Sequence, residues 1–252
     1  MLISDNASTD ATESICQNYA KSDSRVRYIR QSQNKGAWNN FQFVLDVAKG
    51  DYFMWAACDD KWHSSWISDL YERIKKTKNT AVFGKLIHID EFSKHVFHPA
   101  TKNLFNFSGS RLKRKTTFFL EFEGKGKANL FHSLFKRKDL ETWDLLTYSL
   151  DYYALFDLLH KLEFVSSDDV FLYKRIHSTS TSASRPKSAL IKILEVLTLK
   201  TTFASFNNAK GYLKYSEGLE KFVMILLIPI KILTDHMFHL KRILTKSLKL
   251  SI

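Results

Sequence analysis

Hydrophobic residues in the first third of the chain change their spacing several times, and each change marks a predicted element. Apolar residues recur every three or four positions in three stretches, which predicts amphipathic helices. Short apolar runs between these stretches predict strands. The helices are predicted near residues 10–19, 38–48 and 62–75, and the strands at 2–4, 26–29, 52–57 and 81–89. Because strands alternate with helices, we predict an α/β fold with a mostly parallel sheet flanked by helices.

The remainder of the chain has a weaker pattern. The predicted elements are strands at 129–135 and 170–176, helix at 140–161 with a break near Asp151, and a helical tail from Pro186 onward. We expect one globular domain over residues 1–183 and a basic amphipathic helical tail over residues 184–252. The unbroken apolar run at 52–57 predicts a strand that is buried on both faces.

Positive charge is concentrated in the tail. The formal net charge is +12, and residues 185–252 contribute twelve Lys and Arg against four Asp and Glu. Basic and apolar residues in one helix favour a membrane surface or a protein partner. The longest apolar run, residues 222–230, is shorter than the roughly 20 residues that span a bilayer. With two cysteines that form no framework, these features predict a cytoplasmic protein, peripheral on the inner face of the plasma membrane. No motif supports a nucleic-acid partner.

The first predicted strand ends in a polar loop that suits a nucleotide. Asp5, Asn6 and Ser8 lie at a strand-to-helix turn, where N–H groups can bind phosphate and a carboxylate can accept from uracil. The alternative is a plain turn with a helix cap, since caps use the same residues. The next loop carries Asn34, Gly36 and Asn39, which could hold a base or ribose; its alternative is a flexible helix entry.

Two adjacent carboxylates, Asp59 and Asp60, follow the buried strand. Neighbouring carboxylates repel one another and are costly to desolvate without a cation. A divalent ion, Mg²⁺ or Mn²⁺, would supply that cation and bridge to a diphosphate. The alternative is a helix N-cap before a helix over residues 62–75.

Three further residues have candidate chemistry. Asp151 precedes an apolar helical stretch and could take a proton from an attacking hydroxyl, although an N-cap is the alternative. Arg175 and His177 alternate at a strand end, so both side chains are predicted to point the same way. Such a pair could neutralise a diphosphate, or it could be a solvated strand end.

Taken in order, these segments resemble the family 2 glycosyltransferases of bacterial polysaccharide synthesis, which have the GT-A fold. The resemblance covers residues 1–183. The matching segments are residues 5–10, 25–29, 34–36, 50–60, distantly 150–152, and 173–178.

The resemblance implies an inverting transfer of a sugar from a nucleoside-diphosphate sugar, such as a UDP-sugar, to a hydroxyl of a glycan or glycolipid. It places Asp5 at the nucleotide base and Asp59 and Asp60 at the metal motif, with Asp60 as the direct ligand. It makes Asp151 the general base and places Arg175 and His177 near the diphosphate.

Members of the family begin with a buried strand and a Pro-x-Tyr-Asn-like turn, whereas this sequence begins at the second strand of the pattern. We therefore expect the base pocket to lack one wall, and the 252-residue chain expressed alone to be unstable or nearly inactive. The alternative function is a truncated, inactive or binding-only glycosyltransferase remnant. A nucleic-acid-binding protein is a third hypothesis, which the apolar tail and the ordered motifs argue against.

Overall fold

The computed structural model describes residues 1–177 and 200–248, and within these the chain forms eight strands and seven α-helices joined by short 3₁₀ turns. The strands are β1 (Leu2–Asp5), β2 (Arg27–Arg30), β3 (Tyr52–Phe53), β4 (Lys61–Trp62), β5 (Thr80–Ile89), β6 (Asn106–Phe107), β7 (Phe135–Lys136) and β8 (Glu163–Arg175). The helices are α1 (Thr12–Ser22), α2 (Ala37–Val47), α3 (Trp66–Ile74), α4 (Arg111–Leu120), α5 (Asp151–Leu158), α6 (Lys200–Leu213) and α7 (Gly218–Leu248).

The chain divides into two compact units. Unit 1 contains Met1–Trp55 and Phe135–Ser149, and unit 2 contains Ala56–Leu134 and the described residues from Leu150 onward. In unit 1, β1 pairs parallel with β2, and β3 pairs antiparallel with β7. The core around Trp55 is aromatic, with edge-on contacts to Phe53 and Trp143 at centroid distances of 4.4 and 5.9 Å, the geometry that aromatic pairs prefer.

Strand β8 is the centre of unit 2. It pairs parallel with β5 and antiparallel with β4 and β6. Helix α3 covers this sheet with Trp66, Leu70 and Ile74, which repeat at i, i+4 and i+8 and are all fully buried, as the spacing predicts. Gly84 sits at a register shift of β5, where a Cβ would lie 2.3 Å from a ring carbon of Trp66, so no side chain fits there.

Helices α6 and α7 pack on the rest of unit 2 through buried aromatic and charged residues. Tyr212 of α6 is fully buried, and its hydroxyl donates to Glu123 at 2.9 Å. Lys231 of α7 also reaches Glu123, at 3.1 Å. Removing one partner of a buried ion pair typically costs about 3–5 kcal/mol. These contacts therefore fix the helices on the unit.

The prediction of a mostly parallel sheet is confirmed only in part. Among the described strands, two pairings are parallel and three are antiparallel. The segment 52–57 is not buried on both faces, because Phe53 and Trp55 are buried while Met54 between them is only half-buried. Buried and more exposed positions alternate along this segment, and the more exposed positions also carry apolar residues.

Helix boundaries were the other errors of the prediction. The first helix was predicted to start near residue 10, but Ala11 is the N-cap of α1, and the Asp10 carboxylate accepts from Thr12 N at 3.0 Å. Residues 127–132 form a 3₁₀ helix where a strand was predicted, and in 140–161 only α5 is α-helical. The predicted helix start at Pro186 lies outside the described residues.

One helix in the described part of the chain is long and apolar enough to cross a membrane by length and composition, the segment Gly218–Lys241 of α7. In the sequence, the unbroken apolar run ends at Ile230, because Lys231 follows it and Asp235 lies four residues later. The run alone is therefore shorter than a membrane span. Both of these charged side chains are buried against unit 2.

Candidate functional site

Asp5 is a buried carboxylate at the carboxyl end of β1. Its Oδ1 accepts from Ser8 N at 2.8 Å, and its Oδ2 accepts from the Tyr28 hydroxyl at 2.7 Å and from Arg30 Nη1 at 2.9 Å. Tyr28 and Arg30 are two residues apart on β2, so both side chains reach the same face. Protein donors thus occupy both oxygens of Asp5, which fixes the loop that follows β1.

This pairing predicts a pH-dependent contribution of Asp5 to stability. Burial works to raise the pKa of Asp5, but hydrogen bonds from Tyr28 and Ser8, together with the charge of Arg30, outweigh it and lower the pKa to about 2. A lowered pKa stabilises the folded state above the unfolded value of 3.8, and this contribution disappears as the pH falls towards 2. We expect Asp5→Asn to lower the free energy of unfolding by about 2 kcal/mol at neutral pH.

Urea unfolding at a series of pH values measures this difference. The gap between the parent chain and Asp5→Asn should narrow from about pH 4 downward. Asp51→Asn serves as a control, because Asp51 is an exposed residue of the same unit. A gap that does not change with pH would mean that Asp5 stabilises the fold through packing alone.

The amides predicted to bind a nucleotide come together in unit 1. Asn6 Nδ2 donates to Asn34 Oδ1 at 2.8 Å, and Asn6 Oδ1 accepts from Lys35 N at 3.0 Å. Gly36 has φ +83°, a backbone conformation that favours glycine, and its N–H donates to Asn34 Oδ1. Asn39 Nδ2 donates to Lys35 O at 2.8 Å. Asn6, Lys35 and Asn39 line one cavity of about 180 Å³.

The two adjacent aspartates of unit 2 have opposite surroundings. The Asp60 side chain is fully buried; its Oδ2 accepts from Lys174 Nζ at 3.0 Å and its Oδ1 from Arg175 N at 2.9 Å. The Asp59 side chain is 39% exposed, and its Oδ2 lies 3.2 Å from His177 Nε2. The Asp60 carboxylate therefore holds the end of β8 in place, while the Asp59 carboxylate faces outward beside the imidazole of His177.

Arg175 connects the acidic pair to the turn after β5. Its Nε donates to Asp59 O at 2.9 Å, and its Nη1 donates to Asp90 O at 2.8 Å and Glu91 O at 3.0 Å. Arg175 and His177 both reach Asp59, in keeping with their predicted common side. The guanidinium holds backbone carbonyls, so it positions this loop.

Asp151 is the first residue of α5 and belongs to the same unit as the acidic pair. Leu150 takes the N-cap position, and Asp151 Oδ1 accepts from Tyr152 N at 2.8 Å. Burial raises the pKa of Asp151, and the hydrogen bond from Tyr152 and the charge of Lys174 oppose the rise only in part. A carboxylate with a raised pKa is a stronger base than an ordinary aspartate.

Sequence reasoning missed three supporting residues. Lys174 pairs with Asp60 and acts electrostatically on Asp151, and Tyr28 and Arg30 hold Asp5. The alternation of Tyr28 and Arg30 on β2 was a usable signal, because residues two apart share a face. Lys174 gave no such signal, since a lysine near a strand end is usually solvated.

The acidic pair fits a divalent ion only in part. Among the described residues, no group of three or more His, Cys, Asp or Glu side chains converges on a point that could hold a metal. Asp59 and His177 present an oxygen and a nitrogen at one place, whereas both oxygens of Asp60 are engaged. Ions such as Mg²⁺ are commonly held by one or two protein ligands together with substrate phosphates. Two ligands are therefore enough, and the arrangement favours Asp59 over the predicted Asp60.

Comparison with known families decides the membership of the chain. The model described as "Glycosyl transferase family 2" matches residues 1–143, more than half of the sequence. The chain belongs to glycosyltransferase family 2. The match ends before the α5 segment that holds Asp151, so the family model covers the nucleotide loops and the acidic pair but not this residue.

Curated relatives of the chain are bacterial glycosyltransferases. Glycosyltransferase GlyG of Streptococcus pneumoniae is 30% identical over 91 residues, 36% of this chain and 30% of that protein. The GalNAc(5)-diNAcBac-PP-undecaprenol beta-1,3-glucosyltransferase of Campylobacter jejuni is 29% identical over 150 residues, 56% of this chain and 43% of that protein. The matched segments thus span less than half of each relative.

Solved structures show the fold of this family 2 chain. It is similar to the S. aureus TarS 1-349 structure in complex with UDP-GlcNAc, with a TM-score of 0.53 and 12% identity over 93% of this chain and 80% of that one. It is also similar to GalNAc-T7 with UDP, GalNAc and Mn²⁺, with a TM-score of 0.53, 12% identity, and coverage of 93% and 48%. The fold is GT-A, as predicted.

Proposed function

We propose that this chain is an inverting glycosyltransferase that moves a sugar from a nucleoside-diphosphate sugar, with a UDP-sugar as the first candidate, to a hydroxyl of a glycan or lipid-linked acceptor in surface polysaccharide synthesis. The observation that carries the proposal is the set of carboxylates in unit 2: an outward-facing Asp59 beside His177, and a half-buried Asp151 with a raised pKa. Family membership and the names of the relatives support the same reaction class.

In this proposal the amide loops of unit 1 bind the nucleoside. Asn6, Asn34 and Asn39 present donors and acceptors to a base or ribose, and Gly36 leaves room for a close approach because it has no side chain. Asp5 supports these loops from within the fold. Since both of its oxygens have protein donors, we assign it a positioning role and not the direct contact with the base that the resemblance implied.

Asp59 and His177 would hold the divalent ion, Mg²⁺ or Mn²⁺. When bound, the ion offsets negative charge on the leaving diphosphate. Asp60 keeps the β8 end in place through Lys174 and through the N–H of Arg175. Arg175 fixes the backbone carbonyl of Asp59, which orients the carboxylate next to it.

Asp151 is the proposed general base. In a single inverting displacement, the acceptor oxygen attacks the anomeric carbon, the bond to the diphosphate breaks, and the acceptor proton passes to the base. Asp151 would take this proton on its carboxylate. Its burial suits the role, because a desolvated carboxylate holds a proton more tightly than an exposed one.

We further propose that the protein works in the cytoplasm at the inner face of the plasma membrane. The basic and apolar sequence beyond residue 184 supports this location. A relative whose name includes a polyprenyl-diphosphate-linked substrate supports it as well. A lipid-linked acceptor lies at the membrane surface, so an enzyme held there meets its substrate at high local concentration.

A panel of nucleotide sugars tests the proposed reaction. The purified full chain is incubated with each donor, Mn²⁺ and an extract of lipid-linked or soluble glycans, and release of the free nucleotide is measured. We expect release with one donor class, dependent on acceptor and abolished by EDTA.

Two outcomes would contradict the proposed sugar transfer. Metal-dependent UDP binding without release from any donor would indicate a binding-only remnant, which is the alternative function. An absence of both nucleotide binding and release would reject a donor site in this chain altogether.

A further inference from the structure

Helix α7 has two faces of opposite chemistry. The face against unit 2 is buried and includes Glu220, Met224, Lys231 and Asp235. The opposite face is apolar, and its large side chains are 44–68% exposed. These exposed residues are Leu219, Phe222, Ile225, Leu226, Ile230, Leu233, Met237 and Leu240. Their spacing of three or four residues places them in one stripe along the helix.

Buried ion pairs fix which face of α7 points outward. Lys231 Nζ lies 3.1 Å from Glu123 Oε1 and 3.4 Å from Asp235 Oδ1; Lys231 and Asp235 are buried, and the Glu123 side chain is only 14% exposed. Nearer the start of the helix, Glu220 Oε2 lies 3.1 Å from Lys115 Nζ. Charged groups buried with partners cannot turn outward without losing those partners. The apolar stripe is therefore held away from unit 2.

The charges around the stripe have one sign. Between Gly218 and Lys241, the exposed charged residues are Lys221 and Lys241, and the acidic residues Glu220 and Asp235 are buried. The sequence continues with Arg242, and the whole chain carries a net charge of +12. An exposed apolar stripe with cations at both ends complements an anionic lipid surface.

We infer that the exposed stripe of α7 is a monotopic membrane-binding face, which enters the headgroup and acyl boundary of an anionic bilayer while the opposite face stays locked to unit 2. The inference deepens the membrane association proposed above by naming the surface that makes it. Crossing the bilayer would take Glu220, Lys231 and Asp235 from their buried partners into hydrocarbon, where charged side chains are costly. A second copy of the chain fits less well, because a self-interface would bring together two chains that each carry a net charge of +12.

The test compares two double variants of the full chain that change the charge equally. Leu226→Glu with Leu233→Glu places two acids on the stripe, and Ile67→Glu with Leu104→Glu places two acids on similarly exposed apolar sites elsewhere in unit 2. Co-sedimentation is measured with vesicles of phosphatidylcholine alone and of phosphatidylcholine mixed with phosphatidylglycerol. We expect the stripe variant to lose binding to anionic vesicles by at least about tenfold per leucine, since burial of a leucine side chain contributes roughly that factor. The control variant should bind anionic vesicles as strongly as the parent chain does. Both proteins should bind vesicles of phosphatidylcholine alone only weakly.

Three results would overturn the inference. One is equal loss, or no loss, of vesicle binding in the two double variants. Another is membrane-bound protein from cells that resists alkaline carbonate extraction, which indicates a spanning helix. The third is a parent chain that is dimeric and does not bind vesicles, when the stripe variant is monomeric and the control variant remains dimeric. Nucleotide release with a soluble acceptor, measured in parallel, separates this test from that of the proposed function, because vesicle binding does not require turnover.

Discussion

Replacement of Asp151 by Asn should reduce sugar transfer by about 10²–10⁴-fold while UDP affinity in the presence of Mn²⁺ stays within about twofold, since a general base acts on the acceptor and not on the donor. Asn has the size of Asp, and its side-chain oxygen can still accept from Tyr152 N, so the start of α5 should be preserved. Transfer is measured as nucleotide release with the donor and acceptor identified by the panel, and binding is measured by calorimetry.

The stability of this variant should change in the opposite direction to its activity. Burial raises the pKa of Asp151, which means that the folded state binds the proton more tightly than the unfolded state does. The ionised carboxylate thus lowers stability once the pH exceeds the unfolded pKa, and Asn removes this penalty. At neutral pH we expect Asp151→Asn to unfold at a urea concentration equal to or higher than that of the parent.

The pH profile supplies a further check on Asp151. In the parent chain, transfer should fall as the pH drops through the raised pKa, because only the ionised carboxylate accepts a proton. Asp168→Asn, which changes an exposed carboxylate of the same unit, should keep the parent profile. Near-full transfer by Asp151→Asn, or loss of transfer together with loss of UDP binding, would exclude Asp151 as the base.

Asp59 and Asp60 should respond to substitution in different ways. Asp59→Asn is expected to weaken Mn²⁺-dependent UDP binding by at least about 10–100-fold, the range found even for residues that only support metal ligands. Its effect on the free energy of unfolding should stay within about 0.5 kcal/mol, because the Asp59 side chain is partly exposed. Asp60→Asn leaves the largely buried charge of Lys174 without its partner, and we expect it to cost about 3 kcal/mol.

Calorimetry with UDP, with and without Mn²⁺, and urea unfolding of the same samples resolve the two roles. His177→Gln is the matched variant, because it should weaken metal-dependent binding as Asp59→Asn does, without the stability loss of Asp60→Asn. The assignment fails if Asp60→Asn remains fully stable yet loses the response to Mn²⁺ while Asp59→Asn retains it. Equal UDP affinity with and without metal in the parent chain would remove the metal from the proposal.

The separate roles of Asp59 and Asp60 illustrate what the sequence could not predict. The sequence shows two neighbouring acids after a strand, and their spacing is the same whichever of them is buried. The difference arises from β8, about 115 residues later in the chain, which brings Lys174 and the N–H of Arg175 to Asp60. Contacts at such distance in sequence leave no local pattern. The pair was predicted at the end of a strand over residues 52–57, whereas β3 ends at Phe53 and the pair directly precedes β4.

Helix prediction succeeded where burial and spacing agreed. In α3, the residues at i, i+4 and i+8 are all fully buried, so the periodicity reported the core face. In α1, Ile15 and Tyr19 have the same spacing but are 52% and 62% exposed, so the pattern predicted the helix but not its burial. The amide loops of unit 1 were predicted from strand ends, because loops at the carboxyl ends of neighbouring parallel strands lie together.

Unit 1 is built from two separate stretches of chain, so its folding is delayed during synthesis on the ribosome. Strand β3 and Trp55 are complete once the first 55 residues have been made, but their partners Phe135 and Trp143 follow only after about 80 further residues of unit 2. At bacterial synthesis rates of roughly 5–20 residues per second, this gap lasts about 4–16 seconds. During that time Phe53 and Trp55 lack their contacts with Phe135 and Trp143. A chaperone that binds short aromatic segments would therefore meet this protein at Tyr52–Trp55 while it is still being translated.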